Sequence, residues 1–386
     1  MAEVTKQKTT LALFCKVVDN YGDIGICWRL AKQLAHEHAI AVNLWVDDLV
    51  SFKRLCPEVQ TSLPEQRIQD IQVTHWRDQN ADFTCSDVAD FVIEFFGCDI
   101  PPGYIKAMAV RTPRPLWFNL EGLSAEEWVE GCHTLPSPHP SYSLTKYFFF
   151  PGFTNKTGGL IVESNLNEQR QQFQSDQLAQ AQFLSQLGLT DKEQAATKVS
   201  LFCYPHAPVV ALFDAWQNST SAVTCLVPEG VASAAVEQFL GRPGKAGAHA
   251  TRGGLSLRVI PFMPQPDYDR LLWACDVNFV RGEDSFVRAQ WANKPFIWHI
   301  YPQDDNLHHV KLKAFLKRYT PASASLKHLS LVWNDAEKPD AGWEAIWRSL
   351  LKDLPSITAM SIEWHKEMLK NGNFSTNLLK FAATLQ

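Results

Sequence analysis

The sequence predicts an α/β protein made of two Rossmann-like domains, each an open, mostly parallel sheet with helices on both faces. Three observations lead there. Short apolar runs of strand length alternate with helical patterns along most of the chain, as expected of parallel strands buried on both sides. The alternation lapses once, in a polar stretch near the middle, and then restarts, so two sheets are expected rather than one. A chain of 386 residues exceeds one comfortable core and suits two domains of ordinary size.

The first domain, expected over residues 1–160, opens with the strand TLALFCKVV, the helix DIGICWRLAKQLAHEH and the strand AIAVNLWVD. The helix VSFKRLC leads to the strands IQVTHW and ADFVIEFF, then the short helix PPGYIKAMAV and the strand RPLWFNLE. Residues 131–160 become rich in Pro, Gly and Ser around one aromatic strand candidate, TKYFFFPG, and a loop of that length in a compact fold tends to be functional. The Gln-rich helical stretch NLNEQRQQFQSDQLAQAQFLSQLGL falls in a connecting segment, 161–195.

In the second domain, expected over 196–358, the strands TKVSLFCYP, SAVTCLVPE, LSLRVIPFM, VNFVRG and KPFIWHIYP are separated by the helices PVVALFDAWQN, VASAAVEQFLG, DYDRLLWACD and DSFVRAQWAN. The tail is helical, and its last part, about 360–386, is expected to pack back on the first domain. Two α/β domains of similar size with trailing helices suggest the two-lobed GT-B type glycosyltransferase architecture. In that arrangement the domains face each other across a cleft, with a ligand at the carboxyl ends of both sheets.

Composition narrows the function classes. Hydrophobic residues at 46% and charged residues at 20% describe a chain that folds throughout. A net charge of −5, with no clustered Lys/Arg stripe, argues against nucleic acid as a partner. The opening MAEVTKQKTTLALF lacks a basic start followed by a long apolar run, and no run reaches the roughly 18 residues of a membrane span, so a cytoplasmic protein without a membrane partner is expected. Nine cysteines are scattered singly without a CxxC pair and read as small buried hydrophobes. Thirteen Trp and 23 Phe suggest aromatic platforms as well as core.

Chemistry-bearing residues gather in loops after strands. Arg281-Gly282-Glu283-Asp284-Ser285 ends at a helix start, where glycine allows close backbone approach, Asp284 or Ser285 can cap, and free N–H groups with the dipole suit a pyrophosphate. Arg281 adds a bidentate cation. The bland reading is a capped helix with a solvated charge cluster. One strand earlier, Phe262 and Gln265 offer a face to stack on and an amide to read an edge, as a nucleobase pocket needs, and Phe202 and Tyr204 make a similar offer in FCYPH.

Asp267-Tyr268-Asp269 matches a metal-binding DxD only superficially, since acidic residues at a helix start cap and oppose its dipole. His308 and His309 lack metal-ligand spacing. No metal and no cofactor are expected.

The turn after the first strand, Asp19-Asn20-Tyr21-Gly22-Asp23-Ile24-Gly25, stands where a dinucleotide-binding domain carries GxGxxG. Two carboxylates would repel a pyrophosphate, so this loop faces a cation or supplies a base. The alternative is that Asp19 or Asp23 caps the following helix.

Several stretches resemble one family closely, the bacterial protein-arginine rhamnosyltransferases that modify elongation factor P, here called the EarP family. They are VVDNYGDIGICWRLAKQLA, FNLEGLSAEEWVEGCHTLPSPHP, KYFFFPGF, SLFCYPHAP and IPFMPQPDYDRLLWACDVNFVRGEDSFVRAQWANKPFIWHIYPQ, in the family's order over most of the chain. The resemblance implies a GT-B fold, dTDP-β-L-rhamnose as donor substrate, elongation factor P as protein acceptor and inversion to an α-rhamnosyl-arginine, which activates the factor for rescue of polyproline-stalled ribosomes.

The family's catalytic aspartates fall on Asp19 and Asp23, with Asp23 as general base and Asp19 orienting the guanidinium, in an acceptor loop with Asn20, Tyr21 and Gly22. Its donor site falls on Tyr204, Phe262, Gln265, Arg281, Glu283, Asp284 and Ser285, with Glu283 also needed for activity. Gly122 and the Gln-rich segment depart from the family pattern, which bears on the acceptor side. Two other readings remain at this level: a GT-B enzyme using another nucleotide sugar and a small-molecule acceptor, or a non-catalytic binder of a translation factor.

Overall fold

The computed structural model describes residues 8–19, 21–77 and 79–386. The chain divides into two compact units, one running to Ser164 and joined by Met368–Gln386, the other spanning Asn165–Glu367.

The sheet of the first unit contains β1 (Thr10–Cys15), β2 (Ala41–Val46), β3 (Glu65–Ile68), β4 (Ile71–His75), β5 (Phe91–Phe95), β6 (Leu116–Leu120), β7 (Pro136–Pro138) and β8 (Thr145–Phe149). Their order is β3-β4-β2-β1-β5-β6-β8-β7. All pairs are parallel except the edge hairpins β3–β4 and β7–β8. β1 lies between β2 and β5, in register Phe14 with Trp45 on one side and Glu94 on the other. The loop leaving its carboxyl end therefore sits where the winding of the sheet reverses, the usual place for a ligand in such sheets.

Aromatic packing fixes that central strand. Phe14 stacks on Trp45 at 5.3 Å and meets Trp76 and Tyr104 edge-on at 5.6 and 5.0 Å. On the far side of the sheet order, Phe149 packs with Phe374 and Phe381 of the final helix, Phe374–Ala383, which anchors the chain end to the first unit.

The second sheet contains β9 (Thr197–Leu201), β10 (Val223–Pro228), β11 (His249–Arg252), β12 (Leu255–Ile260), β13 (Val277–Arg281) and β14 (Phe296–His299). The order is β11-β12-β10-β9-β13-β14, parallel except at β11–β12. Here β9 is the strand between the two winding directions, so the loops after β9 and β13 flank the switch point.

The stretch expected to be a connector, 161–195, is from Asn165 onward part of the second unit. It forms three helices, Leu166–Ser175, Gln177–Gln186 and Asp191–Ala195, the first two broken at Asp176, whose carboxylate caps the second by accepting from Ala179 N–H at 2.9 Å. Leu184 and Leu189 then bury against Leu226, Ile260 and Leu271. Glu193 grips Arg258 with two bonds of 2.8 Å. Apolar burial and a bidentate ion pair make this segment structural.

Most aromatics are core: Trp28, Trp216, Trp291, Trp333 and Trp347 are fully buried. Seven of the nine cysteines are buried as expected, Cys85 being exposed and Cys132 half-buried. No helix among the described residues is long and apolar enough to cross a membrane.

Candidate active site

The predicted site residues form two groups, one at the carboxyl edge of each sheet. In the first unit, Asp19, Tyr21, Gly22 and Asp23 occupy the turn after β1, while Asn20 lies outside the described residues. The helix begins at Gly22, and Tyr21, in the cap position, makes no side-chain cap bond.

Asp23 does not cap that helix. Its side chain turns back, and one oxygen, Oδ2, accepts from the N–H groups of Val18 at 2.7 Å and Asp19 at 2.8 Å. The carboxylate is 4% exposed. Burial raises its pKa against the opposing pull of the two N–H groups, and the charges of Asp19 and Asp47 raise it further. A buried carboxylate held by backbone, with its proton affinity increased, is equipped to act as a base. Asp19 is half-buried beside it, and its carbonyl accepts from Gly22 N–H at 2.7 Å, closing the turn.

In the second unit the loops after β9, β12 and β13 converge. The Arg281 guanidinium lies 4.6 Å from the Phe202 ring centre and 4.8 Å from that of Tyr204, and its Nη1 donates to the Cys203 carbonyl at 3.2 Å. Phe202 meets Phe262 edge-on at 6.5 Å. The result is a cation resting on aromatic rings, with half-buried Phe262 beside it.

Gly282 has φ of +61°, which glycine adopts without the Cβ penalty, and its carbonyl accepts from Trp298 Nε1 at 3.0 Å. Half-buried Glu283 follows in the cap position of the helix Asp284–Gln290. Ser285 closes the turn: its hydroxyl accepts from Arg281 N–H and donates to the Arg281 carbonyl.

The Gln265 amide, expected to read a base edge, is 2% exposed and donates to Asp284 Oδ2 at 3.1 Å. It ties the β12 loop to the β13 loop and orients Asp284.

The DxD pair separates in space. Asp269 is buried in a bidentate pair with Arg288, at 3.0 and 2.8 Å, whereas Asp267 is only half-buried and meets Arg270 of its own helix. His308 and His309 are likewise engaged locally, accepting from Gln303 N–H and bonding the Asn334 carbonyl respectively. No cluster of three or more potential metal ligands occurs among the described residues.

Two residues that the sequence reading did not single out also belong to the second group. His299, at the end of β14, accepts from Tyr204 N–H through Nδ1 at 3.1 Å and meets His206 Nε2 through its own Nε2 at 3.1 Å. Burial, with His206, Arg281 and His308 nearby, lowers the His299 pKa to about 3, and burial also lowers that of His206.

Two open parallel sheets carrying polar groups at their switch points define a glycosyltransferase fold of the GT-B type. The likeness extends to the glycosyltransferase VinC solved in complex with dTDP, at 12% identity and a TM-score of 0.52 over 97% of this chain and 99% of that one, which shows the fold alone.

The family follows from closer matches. The model of the family described as Elongation-Factor P (EF-P) rhamnosyltransferase EarP matches residues 11–383. The protein-arginine rhamnosyltransferase of Pseudomonas putida is 45% identical over 97% of this chain and 98% of its own length. A structure solved to give the structural basis for EarP-mediated arginine glycosylation of translation elongation factor EF-P is 32% identical, with a TM-score of 0.68 over 98% of this chain and 99% of that one. This chain belongs to the EarP family of glycosyltransferases.

Proposed function

We propose that the protein transfers L-rhamnose from dTDP-β-L-rhamnose to an arginine side chain of elongation factor P, in a single inverting displacement without metal, in the cytoplasm, and so activates the factor for rescue of polyproline-stalled ribosomes. The observation that carries this reading is Asp23, a buried carboxylate with raised proton affinity at the switch point of the first sheet. A guanidinium is protonated at physiological pH and its lone pairs are delocalised, so it attacks only when a carboxylate grips it and removes a proton.

In this mechanism Asp19 binds the guanidinium through charge-assisted hydrogen bonds, with Tyr21 and Gly22 shaping the acceptor loop. Asp23 takes a proton from the attacking nitrogen as the N–C bond forms at the anomeric carbon. The bond from that carbon to the phosphate oxygen breaks, its electron pair leaves with dTDP, and the configuration inverts. A direct displacement needs no enzyme nucleophile.

The second group serves the donor. Phe262 stacks the thymine, Tyr204 and Arg281 meet the nucleotide diphosphate, and the Arg281 cation offsets the charge that develops on the leaving group. Glu283 and Asp284 accept from sugar hydroxyls, Gln265 fixes Asp284, and Ser285 holds the turn in which Arg281 sits. The committed side chain of Asp269 supports a mechanism without a DxD-bound metal.

Incubating the protein with elongation factor P and dTDP-rhamnose, followed by mass spectrometry of the factor, tests the reading. A gain of one deoxyhexose on an arginine is expected. An unmodified factor, with dTDP binding intact, would redirect the search to another acceptor, and stabilisation by UDP or GDP in preference to dTDP would reassign the donor.

A further inference from the structure

The loop Phe202–His206 carries two of the rings under Arg281, and His299 at the end of β14 holds it through Tyr204 N–H and through His206. The hydrogen bonds dictate the tautomers. Because Tyr204 N–H donates to His299 Nδ1, that nitrogen is bare and the His299 proton sits on Nε2. The Nε2–H then donates to His206 Nε2, which leaves the His206 proton on Nδ1. One chain of donors and acceptors runs from an exposed imidazole to the backbone of the donor loop.

The rings are packed to match. Tyr204 lies parallel to His206 at 6.0 Å and edge-on to His299 at 5.2 Å and Tyr301 at 5.6 Å. Tyr204 is 5% exposed, so its ring has little room to move independently of the pair. Its opposite duty is to support Arg281.

We propose that His206 and His299 form a tautomer-locked positioning pair for the donor site, which holds Tyr204 under Arg281 while both imidazoles are neutral and releases it when His206 gains a proton. This rests on the donor reading given above. Protonated His206 presents Nε2–H to His299 Nε2–H, two donors face to face. Relief requires the His299 proton to move to Nδ1, where it opposes Tyr204 N–H. Either way one bond of the chain breaks, and the Tyr204–Arg281 stack loses its support.

The surroundings favour the neutral state. Arg281 from β13, His308 from the helix Leu307–Tyr319 with His309 beside it, and the uncharged Tyr204 and Tyr301 face the pair, and the positive or protonatable neighbours oppose a further proton. Both histidine pKa values are lowered, so the neutral pair is intact above about 6.5, the ordinary histidine value, and is lost as pH falls through the lowered value of His206.

Long-range proton–nitrogen correlation spectra of labelled full-length protein, combined with calorimetry using dTDP as the probe, test the pair. The spectra are expected to show bare Nδ1 and protonated Nε2 on His299, and the reverse on His206. Affinity for dTDP is expected to fall about fivefold to tenfold in the wild type as pH is taken from about 7.5 down through the lowered value of His206, as befits one lost hydrogen bond. His206→Ala should flatten that dependence. His299→Ala should weaken binding about tenfold at the higher pH, and His299→Asn, whose Oδ1 can accept from Tyr204 N–H, should recover most of it.

A His299 protonated on Nδ1, or a pH profile identical in His206→Ala and wild type, would overturn the proposal. So would unchanged dTDP binding by His299→Ala. Wild-type protein that failed to bind dTDP at the higher pH would overturn the donor reading instead, an outcome distinct from intact binding that the substitutions leave untouched.

Discussion

Asp23 offers a test in which fold and chemistry separate. Its Oδ2 accepts two backbone N–H bonds, and Asn at the same position keeps an oxygen able to accept both. Asp23→Asn therefore removes charge and basicity but not the turn. Asp23→Ala removes the acceptor as well, leaving two partly buried donors unmatched at about 1 kcal/mol each. For a unit of this size that corresponds to a fall in melting temperature of roughly 4–8 °C.

The charge itself works in the opposite direction. Because the folded-state pKa of Asp23 is raised, the stability linked to its protonated form is present in acid and lost as pH rises through that raised value. Asp23→Asn should accordingly melt at or above the wild-type temperature at neutral pH, with the advantage vanishing in acid. Transfer to elongation factor P, followed by mass spectrometry of initial rates, should drop about 10²–10⁴-fold, the usual contribution of a general base.

In the wild type the rate should fall as acid protonates Asp23, at a pH above the ordinary carboxylate range. Two results would refute the reasoning: Asp23→Asn turning over within about threefold of wild type with donor bound, or losing as much melting temperature as Asp23→Ala.

The other site residues give sharper contrasts than single deletions would. Phe262→Ala should weaken dTDP binding by about 1–3 kcal/mol of lost stacking, read by calorimetry, and unchanged affinity would remove Phe262 from the site. Arg281→Lys keeps the charge but loses the planar fork that reaches Cys203 and rests on Phe202 and Tyr204, so kcat/KM should fall roughly 10²-fold; a near-normal rate would show that charge alone suffices. Asp269→Ala breaks the buried pair with Arg288 and should cost about 3–5 kcal/mol in chemical denaturation, whereas Asp267→Ala, at a half-buried residue paired only with the exposed Arg270, should stay within about 0.5 kcal/mol. Should EDTA abolish transfer and manganese restore it, both aspartates would return as metal-ligand candidates.

The central strands were legible in the sequence because they are apolar on both faces: all but the first residue of β1 and every residue of β10 are buried. The edges are a different matter. β3, β7 and β11 are short and half-exposed, with polar residues or prolines that leave no apolar run, so nothing in EQRI, PSP or HATR distinguishes strand from turn. The Gln-rich segment misleads for a related reason, since its structural role rests on scattered leucines and on Glu193, whose partner Arg258 is 65 residues away.

Site residues divide in the same way. Acidic and aromatic residues in loops after strands can be read from the pattern, because topology alone brings those loops to one sheet edge. The direction of a side chain cannot. Asp23 reads equally well as a helix cap or a base, and only its turn back to Val18 and Asp19 excludes the cap. His206 and His299 carry no spacing signal at all, being 93 residues apart and joined because β13 places the ends of β9 and β14 near one another.

The two sheets obey one topological rule, yet their switch points differ in the charged groups they carry, and the proposed assignment of the substrates rests on that difference. A diphosphate at the first turn would meet Asp19 and Asp23, and at an effective dielectric constant of about 20 a like-charge pair 4 Å apart costs about 4 kcal/mol. A guanidinium at the second would meet Arg281, already seated on Phe202 and Tyr204. The acidic neighbours there, Glu283 and Asp284, are in the proposed mechanism the acceptors of neutral sugar hydroxyls, and Asp284 is tied to the Gln265 amide. The carboxylates that would ruin a dinucleotide loop are thus what a guanidinium requires, since no neutral side chain in that turn could both hold the cation and take its proton.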